Sequence, residues 1–394
     1  MTTLMDRINR IFSSKRFNLI ALCIITGMIL IAYSNTFTSS FHFDDNPAVI
    51  ENPNIRHLTM DNLMAVLRGG RPIVDLSIML NYQLNGMDVV GYHIFNIATH
   101  ILNSVLVYFL VLGTLSLPQL LDRYQGKAQR MALFCALLFG VHPVQTESVT
   151  YIISRSELLA TCFYLAAFLL LIRGARLGNF FYAIGVMIAS LLAMSSKEWA
   201  VTLPALLVLY DYLFLADGKI QPVLSRWYYH VLAALSWLYI LRVTNLFATG
   251  GVAGVGFNVV TATGITARSY LYTSFNVIWT YIRLLFLPIN QNLDYDYPIA
   301  KTLFELPTIL SFAGHLAIIA AALWLYRTKK WPLIPFGVAW FYIGLSPVQS
   351  FVPIVDVIFE HRLYMPSIGF FIVFIVLYEA VFDWIDKRKA PVIA

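Results

Sequence analysis

Apolar residues in this chain do not alternate with polar ones; they run. Residues 17–37 are almost continuously apolar, and the rhythm returns at 93–118, 131–150, 156–172, 180–196, 199–216, 227–247, 307–326, 332–348 and 362–385. Runs of roughly 17–25 apolar residues match the length a helix needs to cross a hydrocarbon layer about 30 Å thick. The pattern therefore predicts ten membrane spans. An eleventh apolar stretch, 269–288, is read as re-entrant or interfacial, because a full crossing there would place the basic loop "RTKK" (327–330) on the wrong side. The predicted fold class is an all-α polytopic membrane protein: a bundle of about 10–11 transmembrane helices with a partly helical first outer loop. It reads as a single domain over 1–394, without a soluble domain. The loop 38–92 carries an acidic pair, and 248–306 forms a second outer loop.

Composition supports this. The chain is 59% hydrophobic and 12% charged, with mean hydropathy +0.71, against about 25% charged residues in ordinary soluble domains. The net charge of +6 is not a nucleic-acid signal, because its Lys and Arg gather in short loops and at the ends. The first run is too long for a signal-peptide core and lacks a small-residue cleavage site, so it reads as a retained span. Cys23, Cys135 and Cys162 lie in or beside apolar runs, with neither a disulfide nor a metal spacing, and are expected to be small core residues.

Basic loops mark the cytoplasmic side. The N-terminus (Arg7, Arg10, Lys15, Arg16), 122–130, 173–179, 327–330 and the C-terminus (Lys387, Arg388, Lys389) are all basic. Both termini are thus expected in the cytoplasm. The opposite, outer side then collects 38–92, about 142–155, 195–198, 248–306 and 349–361. Those segments hold Asp44, Asp45, Glu147, Arg155, Lys197, Glu198, Asp294, Asp296, Glu360, His361 and Arg362. Ionisable groups at membrane depth are costly and are commonly paired or functional, so their convergence on one face is the first functional signal.

Each cluster has a bland reading beside the chemical one. Asp44–Asp45 in "FHFDDNPAVIENPNIRHL" (41–58) is either a charged stop at a span's end or a general base. Repulsion and desolvation would raise a carboxylate's pKa there; two Asp could also hold one Mg²⁺ or Mn²⁺. His93, Asn96, His100 and Asn103 share one helical face, favouring interhelical hydrogen bonds over a ligand site. His142, Glu147, Arg155 and Glu157 surround a break at Pro143. They could stabilise an outer turn or join a shared site, as could Lys197 and Glu198 in "SSKEWA" (195–200). Glu360, His361, Arg362 and Tyr364 open the last span. A guanidinium there fits a lipid phosphate in a fork, or snorkels as an interfacial anchor. Glycine-rich phosphate loops, Gly-x-Ser-x-Gly elbows and His-Glu-x-x-His helices are absent, which points to a substrate delivered by the membrane.

Together, "FHFDDNPAVIENPNIRHL", "RPIVDLSIMLNYQLNGMDVVGYHIFNIATHILN", "LLFGVHPVQTESVTYIISRSELLA", "SSKEWAVTLPALLVLYDYL" and "EHRLYMPSIGF" resemble, in this order, the membrane half of the transmembrane tetratricopeptide-repeat O-mannosyltransferases and their bacterial relatives. These are glycosyltransferases of the GT-C class, and the resemblance covers most of residues 30–370. It implies a GT-C-like bundle using a polyprenyl-phosphate-linked sugar donor. Asp44 and Asp45 would be catalytic, with Asp44 as the base. Arg362, His361, Arg155 and Lys197 would bind the donor phosphate; Glu147, Glu157, Glu198, Glu360, His93, His142 and Tyr364 are further candidates.

The same resemblance implies an inverting transfer to an acceptor hydroxyl on the periplasmic or exterior face, with a bacterial inner membrane as the expected location. No cofactor is expected to be required, and a divalent metal is the less favoured alternative. The animal members continue into tetratricopeptide repeats, whereas this chain stops at Ala394. The acceptor is accordingly expected to be a protein recruited by a separate partner, or else a lipid or glycan. The rival reading is a lipid-linked sugar flippase or transporter, which would need polar groups reaching both faces of the bilayer; a scaffold would leave the paired Asp unexplained.

Overall fold

The computed structural model describes residues 15–244, 264–328 and 331–389. Arg7, Arg10, Lys329, Lys330 and the stretch 248–263 of the second outer loop lie outside the described residues, as do the side chains of Lys15, Lys387, Arg388 and Lys389. Seventeen helices and no strand occur among the described residues. In a hydrocarbon solvent, helices satisfy every backbone group within one segment.

The first helix, α1 (Lys15–Ala32), leads into the outer loop with two helices of its own, α2 (Met60–Arg68) and α3 (Pro72–Asn85). Next come α4 (Val89–Leu115), α5 (Pro118–Tyr124), α6 (Ala128–Val141), α7 (Thr146–Thr150), α8 (Arg155–Leu177) and α9 (Phe181–Met194). The second half holds α10 (Leu203–Tyr210), α11 (Ile220–Ser225), α12 (Trp227–Ala234), α13 (Trp237–Thr244), α14 (Ala267–Phe286), α15 (Leu306–Thr328), α16 (Leu333–Leu345) and α17 (Pro366–Lys389).

Among the described residues, five helical stretches are long and apolar enough to cross a membrane: Val89–Leu115, Ile152–Leu177, Glu198–Leu215, Leu306–Thr328 and Pro366–Asp386. A sixth results if α6 and the Pro143–Thr150 segment, bent by 52° at Pro143, count as one. The architecture is the expected all-α polytopic one, and five to six of the expected ten or eleven spans meet this length-and-composition test among the described residues. Arg16–Ala32, Phe181–Met194 and Leu333–Leu345 are apolar but shorter, because turns and 3₁₀ segments consume the ends of the sequence runs.

The run at 227–247 is broken into α12 and α13, yet it joins the two ends of the bundle. At one end Arg226 and His230 bond the buried Asp211, the latter at 2.8 Å. At the other, Tyr239 Oη donates to the Gly70 carbonyl at 3.0 Å. By contrast, both ends of α14 meet the face that carries the acidic pair. Tyr270 Oη donates to the Val348 carbonyl at 2.6 Å, and the Leu285 carbonyl lies 3.2 Å from His142 Nε2.

Polar side chains bind the bundle internally. His100 bridges Tyr364 Oη (2.7 Å) and the Gly140 carbonyl (2.9 Å), while Asn103 donates to the Leu158 carbonyl (2.9 Å) and Tyr364 Oη (3.0 Å). Asn96 donates to the Val149 and Ile152 carbonyls, both at 3.3 Å. The stripe on α4 is thus interhelical, and Tyr364 is spent in the core with it. At the far end Glu379, 4% exposed, accepts from Arg130 at 2.6 Å and lies 3.3 Å from Lys127 Nζ. Cys135 is buried and Cys162 half-buried, but Cys23 is exposed on α1 and is no core residue.

Helices α16 and α17 cross where Gly337 meets Gly369; a Cβ on Gly337 would stand 2.5 Å from the Gly369 carbonyl oxygen. Small residues let membrane helices approach closely, and this crossing seats α17, whose first turn follows the Glu360–Leu363 segment. Gly337→Ala should force the pair apart and cost about 1–3 kcal/mol, read as a lowered unfolding temperature of the purified protein. An unchanged temperature would show that the crossing relaxes freely.

Candidate active site on the acidic-pair face

The two aspartates are unlike. Asp45 is 1% exposed and spends both oxygens on backbone donors, taking the Ile153 N–H on Oδ1 at 2.8 Å and the His42 N–H on Oδ2 at 3.1 Å. Burial holds its pKa above the ordinary carboxylate value, even though both bonds pull it down. Asp45 thereby ties the outer loop to the turn before α8. Asp44 next to it is exposed, and its backbone N–H donates to Tyr151 Oη at 2.8 Å. Phe43 before it has φ +42°, the left-handed region that a bulky side chain rarely adopts. The pair therefore offers one free carboxylate, not two aimed at a common ion.

Beneath this loop runs a chain of charged side chains drawn from four distant segments. His361 Nδ1 is 2.5 Å from Glu147 Oε1, and the His361 N–H donates to Glu147 Oε2 at 2.9 Å. His361 Nε2 lies 4.0 Å from Glu157 Oε1, which is 3.3 Å from Lys197 Nζ. Trp199 Nε1 donates to Glu157 Oε2 at 2.5 Å, and Lys197 Nζ to Ser156 Oγ at 3.3 Å. Burial, aided by the positive charge of Lys197, pushes the His361 imidazole down to about 3, so it is neutral at physiological pH. The Lys197 ammonium is pulled below its ordinary value by burial and by Arg71, against the attraction of Glu157 and Glu198.

Glu198 does not pair with its neighbour Lys197. Its partner is Arg71, in a fork of 2.9 and 3.0 Å. The Lys197 backbone is extended (φ −155°, ψ 137°), which turns successive side chains to opposite sides. Arg71, ahead of α3, lies in a stretch that carried the resemblance but was not legible as an individual residue.

Arg362 is 8% exposed; its Nη2 donates to the Asp356 carbonyl at 2.8 Å, and its guanidinium lies 5.3 Å from the Phe359 ring centroid. Its buried Nη1 makes no well-formed hydrogen bond, and the Tyr270 hydroxyl is the side chain that approaches the guanidinium. Tyr270 and Tyr281 lie within its field. Asp356 lies within electrostatic reach of Arg362, Asp294 and Asp44, and burial raises its pKa. Arg362 and Asp44 thus both act on Asp356 through space.

Other candidates have structural employment. Arg155 is 0% exposed, donating to Asn96 (3.2 Å), Ser77 (3.3 Å) and the Tyr92 carbonyl (3.4 Å), with Phe95 under its guanidinium. As placed, it has no open side for a phosphate. Glu360 accepts from Gln291 (2.5 Å), the Asn292 N–H (2.8 Å) and Tyr295 (2.5 Å), fastening the loop after α14. His93 bonds the Ser39 carbonyl at 2.8 Å, and His142 accepts the Val144 N–H at 3.2 Å while contacting Leu285. Asp294 lies near Asp356, whereas no side-chain contact gives Asp296 a role.

Asp75 on α3 is half-buried within electrostatic reach of Arg71, and desolvation pushes its carboxyl up to about 6 despite that guanidinium. A carboxyl raised on folding binds extra protons in the native state, so stability falls as pH rises from about 4 to about 6. Asp75→Asn should flatten that fall in unfolding temperature measured against pH; an unchanged slope would mean that Asp75 titrates normally.

No family model matches the chain, and no solved structure matches it. Curated relatives do. A protein O-mannosyl-transferase of Caenorhabditis elegans is 24% identical over 91% of this chain and 51% of its own length. The human protein O-mannosyl-transferase TMTC4 is 24% identical over 93% of this chain and 56% of its own. Human TMTC3 is 30% identical over 52% of this chain and 23% of its own. The chain spans about half the length of the first two. Across nearly its whole length, this integral membrane chain is similar to the protein O-mannosyl-transferases.

Proposed function

We propose that the protein is a membrane glycosyltransferase that moves a sugar, mannose by analogy with its relatives, from a polyprenyl-phosphate donor to an acceptor hydroxyl on the extracytoplasmic side of the membrane. The observation that carries this reading is a solvent-facing carboxylate, Asp44, and a buried guanidinium, Arg362, that both act through space on Asp356. A transferase of this kind needs a base on its aqueous side and a cation where the lipid phosphate departs. A protein acceptor is the reading that the relatives' names favour. Both termini then lie in the cytoplasm, and a bacterial inner membrane is the proposed setting.

Asp44 takes the acceptor's proton as its oxygen closes on the anomeric carbon from the side opposite the phosphate, which inverts the configuration. The glycosidic bond to phosphate breaks, and Arg362 stabilises the charge growing on the leaving phosphate. Lys197 is the reserve cation, held by Glu157 3.3 Å away. Asp45 positions Asp44 through the two backbone bonds of its loop. The chemistry needs no cofactor in this scheme. The lipid-linked sugar transporter fits less well, because the linked charges gather at one end of the bundle, while Lys127, Arg130, Glu379 and Asp383 at the other end are paired among themselves.

A positioned base contributes about 10²–10⁴-fold in rate. In reconstituted vesicles supplied with labelled polyprenyl-phosphate mannose and membrane extract as acceptor, Asp44→Asn should lose that factor in kcat with little change in unfolding temperature. Near-normal turnover would remove Asp44 from the role of base. Asp45→Asn should lower both activity and unfolding temperature, because an amide nitrogen cannot accept the second backbone N–H; unaltered stability would contradict the clamp. Arg362→Ala should raise KM for the donor as well as slow transfer, and a variant with normal KM and kcat would place the phosphate elsewhere.

A further inference from the structure

At the end of the bundle away from the acidic pair, an open cleft of about 250 Å³ lies between α5, the residues before α16 and the last turns of α17. Arg123, Tyr124, Lys127, Trp331, Glu379 and Asp383 line it. Most of its charge is matched internally. Lys127 pairs with Glu379 at 3.3 Å and with Asp383, and Arg130 pairs with Glu379 at 2.6 Å. Arg123 is the exception: among the described residues it has no carboxylate partner and makes no hydrogen bond, and its guanidinium sits 3.7 Å over the Trp331 ring centroid. Tyr124 beside it is 2% exposed. Its hydroxyl lies in the fields of Arg123, Glu379 and Asp383, yet has no hydrogen-bond partner.

A guanidinium stacked on a ring face keeps its N–H edge for a planar pair of acceptors. A buried phenol without a partner leaves a donor unused. Three cations against two carboxylates also leave the cluster positive. The group that would complete it is an anion with at least two oxygens, as a phosphodiester has. The cleft opens where α17 leaves its apolar span, since Asp383 stands in the last turn of Pro366–Asp386. On the adjoining face of α17, Phe374, Leu377 and Val381 recur at i, i+3 and i+7, and all three are exposed. Basic pockets between membrane helices hold anionic lipid headgroups.

We infer that this cleft binds the phosphodiester of an anionic phospholipid, with Arg123 on the phosphate oxygens and the Tyr124 hydroxyl as a second donor. The acyl chains then lie along Phe374, Leu377 and Val381. The lipid comes from the leaflet opposite the acidic-pair face and braces α5 against α17. This inference rests on the chain being embedded in a bilayer and is independent of the transferase reading.

The test is native mass spectrometry of the full chain, purified in detergent, stripped of lipid and titrated with phosphatidylglycerol, phosphatidylcholine or inorganic phosphate. The first phosphatidylglycerol should bind about fivefold more weakly to Arg123→Gln than to wild type, the share of one Lys or Arg at an anionic surface. Phosphatidylcholine should bind the two alike. Tyr124→Phe keeps the ring and removes only the hydroxyl, and it should weaken the first phosphatidylglycerol in the same direction. Unchanged first-site affinity in either variant would overturn the inference. Displacement of the lipid by inorganic phosphate would give the cleft to a soluble anion and overturn it as well. If Arg123→Gln does not fold, Tyr124→Phe alone decides.

Discussion

Burying charge in a bilayer protein is costly unless each charge finds a partner, and the chain from Glu147 through His361 and Glu157 to Lys197 is where this protein meets that constraint. Its four members come from α7, the segment before α17, the start of α8 and the break after α9. Glu147, Glu157 and Lys197 could not each keep a charge at that depth alone, and the neutral His361 stands between the two carboxyl groups. Their mutual pairing holds the ends of four helical segments at a common level, and the outer loop is laid over them. Helix breaks near Pro143 and Lys197 follow from the same need, since an unbroken helix would carry these side chains past one another.

The acidic pair shows how such a scaffold produces chemistry. Asp45 is committed to two backbone N–H groups, which costs the protein a free carboxylate but fixes the turn. Asp44, adjacent and exposed, keeps its carboxylate available, with Tyr151 bonded to its backbone. Two identical residues, one peptide unit apart, thus differ in what they leave open: one is spent on the backbone and the other faces solvent. Arg362 faces the complementary problem: its buried Nη1 makes no well-formed hydrogen bond, and a guanidinium so placed in a membrane protein favours an anionic ligand.

Much of the architecture was legible in the sequence, and the limits have physical causes. Apolar runs marked the helices because a bilayer demands continuous hydrophobic length, but they overstated the uninterrupted spans: an apolar run does not reveal where a helix breaks, as at Leu235 and Ser236 between α12 and α13. The stripe on α4 was legible as interhelical because its period is that of a helix. Partner identity was not legible. Lys197 and Glu198 are neighbours in sequence, yet extended backbone turns them to Glu157 and Arg71 respectively. Arg155 and Glu360 looked like site charges, but their partners lie 59 to 78 and 65 to 69 residues away in sequence. Tyr151 and Arg71 lie in stretches that carried the resemblance but were not legible as individual residues, and Asp356 lies outside those stretches; each matters only through tertiary contact.

Sugar transfer is measured most directly with purified protein in sealed vesicles containing polyprenyl-phosphate mannose labelled in the sugar, with a hydroxyl-bearing acceptor peptide mixture added to the site-facing side alone. A transferase with Asp44 as base and Arg362 at the phosphate should release label from the lipid and place it covalently on the acceptor, with inverted anomeric configuration. Label that crosses to the other leaflet while remaining on its lipid, with none on the acceptor, would contradict it.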